Sequence, residues 1–159
     1  MANLTEHMKQ LIQEQPVVYV ATSDDQGRPN VSPKGALKIL GNDRLVFGDL
    51  FSLKTRANLQ ANPQAAVAVV NPQAYEGYQF KGRAELVQEG PLFEEVTELL
   101  ARPSYGPQPM ELWFEKAARG LLAAFGRAGR REIRPRHAVV LHIEEIWNLA
   151  PGHEDEVWR

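Results

Sequence analysis

The first fifty residues contain four short runs of strand-forming residues separated by tight turns, and this spacing constrains the fold more than any other feature. The runs cover residues 17–22, 28–35, 36–40 and 44–50, and the turns carry D-D-Q-G at 24–27 and G-N-D at 41–43. Such turn compositions are typical of hairpins. Because parallel neighbours need a crossover of about a dozen residues or more, connections this short predict an antiparallel meander.

The rest of the chain adds predicted helices and strands around this meander. Leu4, Met8, Leu11 and Ile12 share one face of an N-terminal helix that Pro16 ends. Further helices are predicted over 52–61, 92–100 and 110–125, and further strands over 65–70, 79–87 and 138–147. Helical crossovers are too few for serial β-α-β units. We therefore expect one domain over residues 1–159, mainly β, with six or seven strands in a closed or nearly closed antiparallel barrel and a helical, arginine-rich insertion at 103–136.

The charge balance and the lack of cysteine exclude several classes of protein. Lys and Arg total 18 against 20 Asp and Glu, so no overall field attracts nucleic acid or an anionic membrane. Without cysteine the chain has no disulfide, no thiolate nucleophile and no cysteine-based zinc site. No apolar run approaches the roughly 20 residues of a spanning helix, and residues 1–15 are too charged for a signal peptide. We expect a cytoplasmic protein that binds neither membrane nor nucleic acid.

Familiar catalytic motifs are absent from the sequence, among them the dinucleotide-binding glycine motif, the Walker loop, the zinc-protease motif and the nucleophile elbow. The four histidines, His7, His137, His142 and His153, are scattered without metal-ligand spacing, so we predict no metal site. For His142, on a predicted strand, a structural or surface role is favoured over a ligand role. The sequence assigns no catalytic side chain.

The strand at 28–35 has an unusual polar face. Asn30, Ser32 and Lys34 project to one side of it, and its two prolines place it at the edge of a sheet. One interpretation is a solvent-exposed edge blunted by Pro and Lys. The other is a polar pocket wall that ends in a cation.

The helix predicted from residue 52 carries positive charge in its first turn, where the helix dipole favours negative charge. Ser52 is the predicted N-cap, and Lys54, Thr55 and Arg56 follow in the first turn. A helix N-terminus carries partial positive charge, so cations there are unfavourable unless an anion lies between them. A solvated charged turn is one reading, and a phosphate cradle of backbone N–H groups, a hydroxyl and cations is the other.

Three blocks together resemble the FMN-binding split-barrel family related to pyridoxamine 5'-phosphate oxidase. They are A-T-S-D-D-Q-G-R-P-N-V-S-P-K-G at 21–35, F-G-D-L-F-S-L-K-T-R-A-N-L-Q-A-N-P at 47–63 and G-Y-Q-F-K-G-R-A at 77–84. The resemblance covers about residues 17–87, with a weaker echo, I-E-E-I-W-N-L-A-P-G, at 143–152. It implies a split β-barrel that forms a homodimer with FMN at the interface.

The resemblance also assigns residues to the flavin. Lys34 matches the family's strand lysine, and Lys54 and Thr55 match its cationic pair at the helix start. Because Thr55 stands where a second cation is common, the phosphate clamp is expected to use Arg56 or a residue of the second chain. The remaining implied contacts with the cofactor are Asn30, Ser32, Asp49, Ser52 and Gln79.

The chain also departs from that family. It shows neither the tryptophan-rich segment nor the arginine-histidine substrate motif of a full pyridoxamine 5'-phosphate oxidase, so we do not expect oxidation of vitamin B6. The expected function is that of a flavin-dependent oxidoreductase acting on a small molecule, with NAD(P)H as a candidate electron donor. Alternatives are a relative that binds deazaflavin or haem, and a non-catalytic flavin-binding or electron-storage module.

Two further features of the sequence bear on partners. The apolar stripe at 110–125 and the rim strand around Val31 are two faces that one small barrel cannot both cover, which favours a symmetric dimer. The arginines between residues 127 and 136 form either a solvated basic loop or a site for an anionic substrate, a nicotinamide nucleotide or nucleic acid.

Overall fold

The computed structural model describes residues 2–35, 37–49, 53–101, 137–153 and 155–159. The strands are β1 (Val18–Ser23), β2 (Pro29–Lys34), β3 (Leu37–Leu40), β4 (Arg44–Asp49), β5 (Gln64–Asn71), β6 (Glu76–Val87), β7 (His137–Asn148) and β8 (Val157–Trp158). The helices in these ranges are α1 (Glu6–Glu14), α2 (Leu53–Ala61) and α3 (Pro91–Ala101). The expected helix at 110–125, the insertion at 103–136 and its arginine cluster lie outside the described residues.

The strands form one eight-stranded sheet in the order β2-β1-β5-β6-β7-β4-β3, with β8 paired to β7. Every pairing is antiparallel, so the predicted antiparallel split barrel is confirmed. The edge position predicted for β2 is also confirmed, since β1 is its one neighbour among the described strands. The short strand β8 has no counterpart among the predicted strands.

The inner face of the sheet encloses the main hydrophobic core. Alternate residues of the strands supply it, including Val20, Phe47, Val67, Phe80 and Leu141, each without exposed surface. Helix α1 closes one side through Met8, Leu11 and Ile12, the stripe read from its sequence. Thr5 caps this helix by accepting a hydrogen bond from Met8 N at 3.2 Å.

The outer face of the same sheet differs between its two ends. At one end α3 packs Val96, Leu92, Phe93 and Leu99 onto Leu40, Val46, Val87, Ala138 and Val140. At the other end, formed by β2, β1 and β5, Tyr19 and Val31 are 53% and 63% exposed. We call this second area the open face: the outward residues of β2, β1 and β5 together with their neighbours on β6 and β7. The outward residues of the open face include apolar side chains, a composition that is more usual for a buried sheet face than for an exposed one.

Two local features set the geometry of the long strands. Gly27, with a φ of 76°, completes the hairpin between β1 and β2. Gly82 lies at a bulge where the register between β6 and β7 shifts after Lys81. A Cβ on Gly82 would collide with the backbone oxygen of His142. The close approach of the two strands therefore requires glycine at this position.

Candidate functional site

Helix α2 is attached to β1 and β2 by a group of neutral polar side chains. We call Thr22, Asn30, Ser32, Thr55 and Asn58 the polar cluster. Thr55 is 1% exposed, and its Oγ1 lies 3.2 Å from Ser32 Oγ and 3.5 Å from Asn30 Nδ2. Thr22 Oγ1 accepts hydrogen bonds from Asn58 Nδ2 at 3.1 Å and from Asn30 Nδ2 at 3.4 Å. The hydroxyl of Thr55 thus sits at the centre of the contact between helix and sheet.

The register of β1 and β2 explains why the polar face of β2 points inward. Asn30 is opposite Thr22, Ser32 is opposite Val20, and Lys34 is opposite Val18. Since Val18, Val20 and Thr22 are all buried on the inner face, their partners in β2 lie on that face too. The interpretation of this polar face as a solvent-exposed edge therefore disagrees with the structure, since Asn30 and Ser32 contact α2 and Lys34 is buried; its role as a pocket wall stays a prediction. The residues that β2 presents outward are Pro29, Val31 and Pro33.

Lys34 ends this polar face as a buried cation. It is 8% exposed, and its Nζ lies 5.7 Å from the centroid of the Phe47 ring. Phe47 faces the interior from β4, so Lys34 bridges the edge strand and the far side of the sheet. A cation over an aromatic face is attracted by the ring quadrupole.

The start of α2 presents cations beside the polar cluster. Lys54 is exposed in the first turn, and α2 has no acidic residue in that turn. Arg56 is half-buried, and its Nε is buried with no hydrogen-bond partner among the described residues. An orphaned guanidinium nitrogen close to a helix N-terminus is the donor pattern of an anion site.

Asp49 and His137 are paired in the backbone register at the ends of two strands. Asp49 ends β4, His137 begins β7, and the two are Cα partners in the register. The next pair inward along the same strands is Phe47 with Val139. Both ring nitrogens of His137 are buried without a hydrogen-bond partner in the described part of the chain.

Gln79 lies apart from these groups. It pairs with Ala68 and Trp147 on the open face, the opposite side of the sheet from the polar cluster. Nearby, Lys81 Nζ lies 4.8 Å from the Trp147 ring centroid, and Trp147 Nε1 donates to Glu145 Oε1 at 2.9 Å. That hydrogen bond lowers the pKa of Glu145, and the charges of Lys81 and Arg159 act in the same direction. Within one chain, Gln79 does not line the pocket of Asn30 and Ser32.

The structure thus brings together part of the expected site. Asn30 and Ser32 both contact Thr55, while the predicted N-cap Ser52 lies outside the described residues. Sequence reasoning missed Thr22, Asn58 and His137. Two signals were available: Thr22 alternates with Val18 and Val20, and Asn58 lies three residues after Thr55 on one helix face. For His137 no signal was available, because the pairing with Asp49 exists only in the folded sheet.

The remaining residues give no sign of a metal centre or a membrane span. Within the described ranges, no group of three or more His, Asp or Glu side chains could hold a metal ion. None of the described helices is long and apolar enough to cross a bilayer. His142, predicted to be structural or at the surface, lies half-buried with its Nε2 3.3 Å from Glu85 Oε2.

Comparison with known proteins places this geometry in a family. An uncharacterized protein of Methanocaldococcus jannaschii is 28% identical over 151 residues, which is 94% of this chain and 83% of that protein. The crystal structure of HupZ from Group A Streptococcus matches with a TM-score of 0.68 and 26% identity, covering 96% of this chain and 99% of that one.

Two more distant structures share the fold. An FMN-binding protein from Syntrophomonas wolfei matches with a TM-score of 0.61 at 17% identity, covering 89% of this chain and 83% of that one. The haem storage protein HutZ from Vibrio cholerae matches with a TM-score of 0.56 at 20% identity, covering 89% and 91%. The family model described as pyridoxamine 5'-phosphate oxidase matches residues 4–150. The chain therefore belongs to the pyridoxamine 5'-phosphate oxidase family.

Proposed function

We propose that this chain binds FMN and acts as a flavin-dependent oxidoreductase on a small substrate. The observation that carries the proposal is the buried Nε of Arg56, which has no partner among the described residues and lies one residue beyond the central hydroxyl of the polar cluster. A buried charged donor without an acceptor is costly, and a bound anion removes that cost.

The residues around the start of α2 fit the phosphate of FMN by their chemistry. Lys54 and Arg56 supply positive charge, and the amide of Asn30 and the hydroxyls of Ser32 and Thr55 supply neutral hydrogen bonds. No carboxylate pairs with Lys54 or Arg56 in the described part of the chain. Anions bind readily where cations and backbone N–H groups converge at a helix start.

In this proposal the chain positions the cofactor and excludes water from it. FMN, when bound, supplies hydride or electron transfer at its ring system. Lys34 lies at the inner end of β2, close to the ring of Phe47, where it orients a ligand that extends from the helix start toward β4. No side chain of the described residues is assigned as a general acid or base.

We further propose that the active form is a homodimer with the flavin at its interface. The open face supports this, because Tyr19, Val31 and Val70 are exposed apolar residues on three adjacent strands. Contiguous apolar area of this kind is typical of an interaction surface. Gln79 lies on the same face, so a second copy packed there would bring Gln79 close to the interface.

The test is a pair of titrations on purified protein, with FMN and with riboflavin, which has the same ring but no phosphate. Lys54→Ala removes a charge-assisted hydrogen bond, so we expect about 10- to 150-fold weaker FMN binding. Riboflavin affinity stays the same. Lys9→Ala, which removes a half-buried cation from α1 that pairs with Glu6 at 2.7 Å, is the matched control and leaves both affinities unchanged.

Equal losses for FMN and riboflavin would place the phosphate elsewhere than at the start of α2. A wild-type protein that binds neither compound would reject the flavin proposal. Reduction of the bound flavin by NAD(P)H distinguishes an oxidoreductase from a passive flavin carrier. Turnover of a vitamin B6 phosphate would contradict our expectation that this chain does not oxidise such compounds.

A haem-binding function is the second candidate, because the fold also matches the haem storage protein HutZ. The visible spectrum of protein reconstituted with each cofactor separates the two. Bound FMN gives flavin bands in the near ultraviolet and blue, a bound deazaflavin lacks the longest-wavelength band, and haem gives a Soret band. Saturable haem binding without FMN binding would favour the second candidate.

A further inference from the structure

Tyr75 has a backbone conformation that tyrosine rarely adopts. It ends the four-residue loop 72–75 between β5 and β6, and its φ is 54°. Of the described residues other than glycine, Tyr75 alone has a positive φ. A Cβ atom crowds this left-handed region, so glycine or asparagine is usual at such a position. The chain therefore keeps a tyrosine here against the preference of its own backbone.

The loop holds Tyr75 in this conformation without burying its ring. Asn71 Oδ1 accepts hydrogen bonds from Gln73 N at 3.1 Å and from Ala74 N at 3.3 Å, and Asn71 is paired with Glu76 where the hairpin closes. The backbone is thus fixed on both sides of Tyr75. Tyr75 nevertheless remains 76% exposed. Because the ring buries so little surface within its own chain, that burial does not offset the strain.

The surface beside this loop is apolar. Val70, on the same hairpin, is paired with Gly77, and the carbonyl oxygen of Gly77 accepts a hydrogen bond from Leu149 N at 2.9 Å. The described ranges contain six large hydrophobic residues that are exposed, and five of them belong to the open face or lie at this end of it: Tyr19, Val31, Val70, Tyr75 and Leu149. Such a concentration of exposed apolar side chains is typical of an interaction surface.

We propose that Tyr75 packs against a second copy of this chain, so that the loop 72–75 and the open face form one interface. This inference rests on the homodimer of the proposed function. A second copy is the occupant because Val70, in the strand that leads into the loop, belongs to the face assigned to that copy. An aromatic ring on a fixed backbone loses little conformational entropy on binding, and aromatic residues often carry much of the free energy of an interface. The strain of the isolated chain is then offset in the dimer.

The experiment compares Tyr75→Asn, which removes the ring and suits the left-handed backbone, with Tyr75→Phe, which keeps the ring. We expect Tyr75→Asn to raise the dissociation constant of the dimer about 5- to 30-fold, as for an aromatic anchor of an interface. Tyr75→Phe leaves it nearly unchanged. The matched control is Leu53→Ala, which removes a hydrophobic side chain that is 83% exposed on α2, away from the open face. It leaves the dissociation constant unchanged, as measured by sedimentation.

In the isolated chain the same substitution has the opposite effect. Val31→Asp supplies a monomeric background, because a dimer that uses the open face would have to desolvate the new charge. In that background Tyr75→Asn relieves the backbone strain, so we expect the melting temperature to rise by about 1–4 °C. A ring that supports the fold of its own chain predicts a lower melting temperature instead.

The outcomes separate the contact of Tyr75 from the homodimer itself. If Tyr75→Asn leaves the dissociation constant unchanged while Val31→Asp still dissociates the dimer, the contact is overturned and the homodimer stands. A wild-type chain with a mass of 17.9 kDa would reject both. A lower melting temperature of Tyr75→Asn in the Val31→Asp background would assign the ring to the fold. Weaker flavin binding by a Tyr75→Asn variant that is still fully dimeric would assign the ring to the ligand, and this too would overturn the proposal.

Discussion

Helices α2 and α3 both pack on the sheet, but they are held there by different forces. Helix α3 buries apolar residues, among them Val96, which has no exposed surface. Helix α2 buries Thr55, Asn58 and Leu59, so two of its three buried residues are polar. Hydrogen bonds to Thr22, Asn30 and Ser32 hold α2 on the sheet, whereas apolar packing holds α3 there.

The difference indicates which helix is structural and which belongs to a site. We call the contact of α2 with β1 and β2 the polar seam, and the contact of α3 with the sheet the apolar seam. A polar contact stabilises a fold less than apolar packing does unless every polar group in it is hydrogen-bonded. At α2 the buried group without a partner among the described residues is Arg56 Nε, a charged donor; at α3 the packing residues are apolar and the corresponding group is the neutral hydroxyl of Thr97. Donors that the protein does not use itself are available to a ligand. The seam of α2 is therefore the one we associate with function.

The largest expected effect breaks the apolar seam. Val96→Asp buries an unpaired carboxylate at a position with no exposed surface, at a cost of several kcal/mol. We expect loss of cooperative folding by circular dichroism. Leu53→Asp at the start of α2, where the side chain is 83% exposed, leaves the melting temperature equal or slightly higher. A native melt for Val96→Asp would show that α3 does not pack as described.

The next prediction replaces a hydroxyl by a methyl group in the contact of α2 and a methyl group by a hydroxyl in the contact of α3. Thr55→Val removes the central hydroxyl, leaves Ser32 and Asn30 short of a partner, and costs about 1–3 kcal/mol of stability. FMN affinity falls as well, measured by titration. Val96→Thr buries a hydroxyl in the apolar seam and has a similar cost, but it leaves FMN affinity unchanged. If FMN affinity falls equally in both variants, the polar seam has no special link to the ligand.

A smaller effect concerns the open face that neither helix covers. Val31→Asp places a charge at a position that is 63% exposed, so the isolated chain keeps its stability. In a dimer that uses this face, the charge is desolvated. We therefore expect the dissociation constant of the dimer to rise by at least about tenfold, or about 1.4 kcal/mol. Light scattering then shows a shift toward 17.9 kDa.

The control for that measurement is Gln60→Asp on the exposed side of α2, which leaves the mass unchanged. A wild-type chain of 17.9 kDa that binds flavin would remove the interface site from the proposal. A Val31→Asp variant that remains dimeric would place the interface on another surface.

The smallest effect concerns the hairpin between β1 and β2. Asp24 Oδ1 accepts from Gln26 N and Arg28 N at 3.0 and 2.9 Å, and Oδ2 accepts from Arg28 Nε at 2.6 Å. The hydrogen bonds from Arg28 lower the pKa of Asp24 below its usual 3.8. A lowered pKa stabilises the fold above the unfolded pKa and loses that contribution as the pH falls through the folded value.

Asp24→Asn therefore melts slightly below wild type at pH 7. The gap closes as the pH drops below about 4, where the unfolded carboxyl begins to protonate. Melting curves between pH 2 and pH 7 measure this. Flavin affinity stays the same, because the carboxylate of Asp24 accepts hydrogen bonds from Gln26 and Arg28 and from none of the residues of the polar cluster. A constant gap at every pH would mean that the charge of Asp24 contributes nothing.

Much of the fold follows from local patterns. The N-terminal helix was predicted from Leu4, Met8, Leu11 and Ile12, and all of these are buried. The hairpin turns and alternating strands were predicted within a residue or two, except that β6 begins at Glu76 rather than at 79. Side-chain periods of 3.6 and 2 residues are properties of the chain itself, so they can be read before the strands are paired.

The site depended more on pairing. The alternation showed that Asn30, Ser32 and Lys34 share a face, but left open whether that face is inside or outside. The partnership with Val18, Val20 and Thr22 decided it, because those residues lie in the core. The expected closeness of Gln79 to this face stays a prediction for an assembled dimer, since in one chain it lies on the opposite side.

By itself, the sequence determined the described helices, seven of the eight strands, the antiparallel class and the cation-rich start of α2. These depend on residues that are neighbours along the chain, and local periodicity, turn chemistry and helix charge express them directly. Only the tertiary structure decided that Thr55 joins Asn30 and Ser32, that His137 is paired with Asp49 in the register, and that α3 leaves β2, β1 and β5 uncovered. These contacts join residues far apart in sequence, and their partners are fixed only when the register of the whole sheet is set.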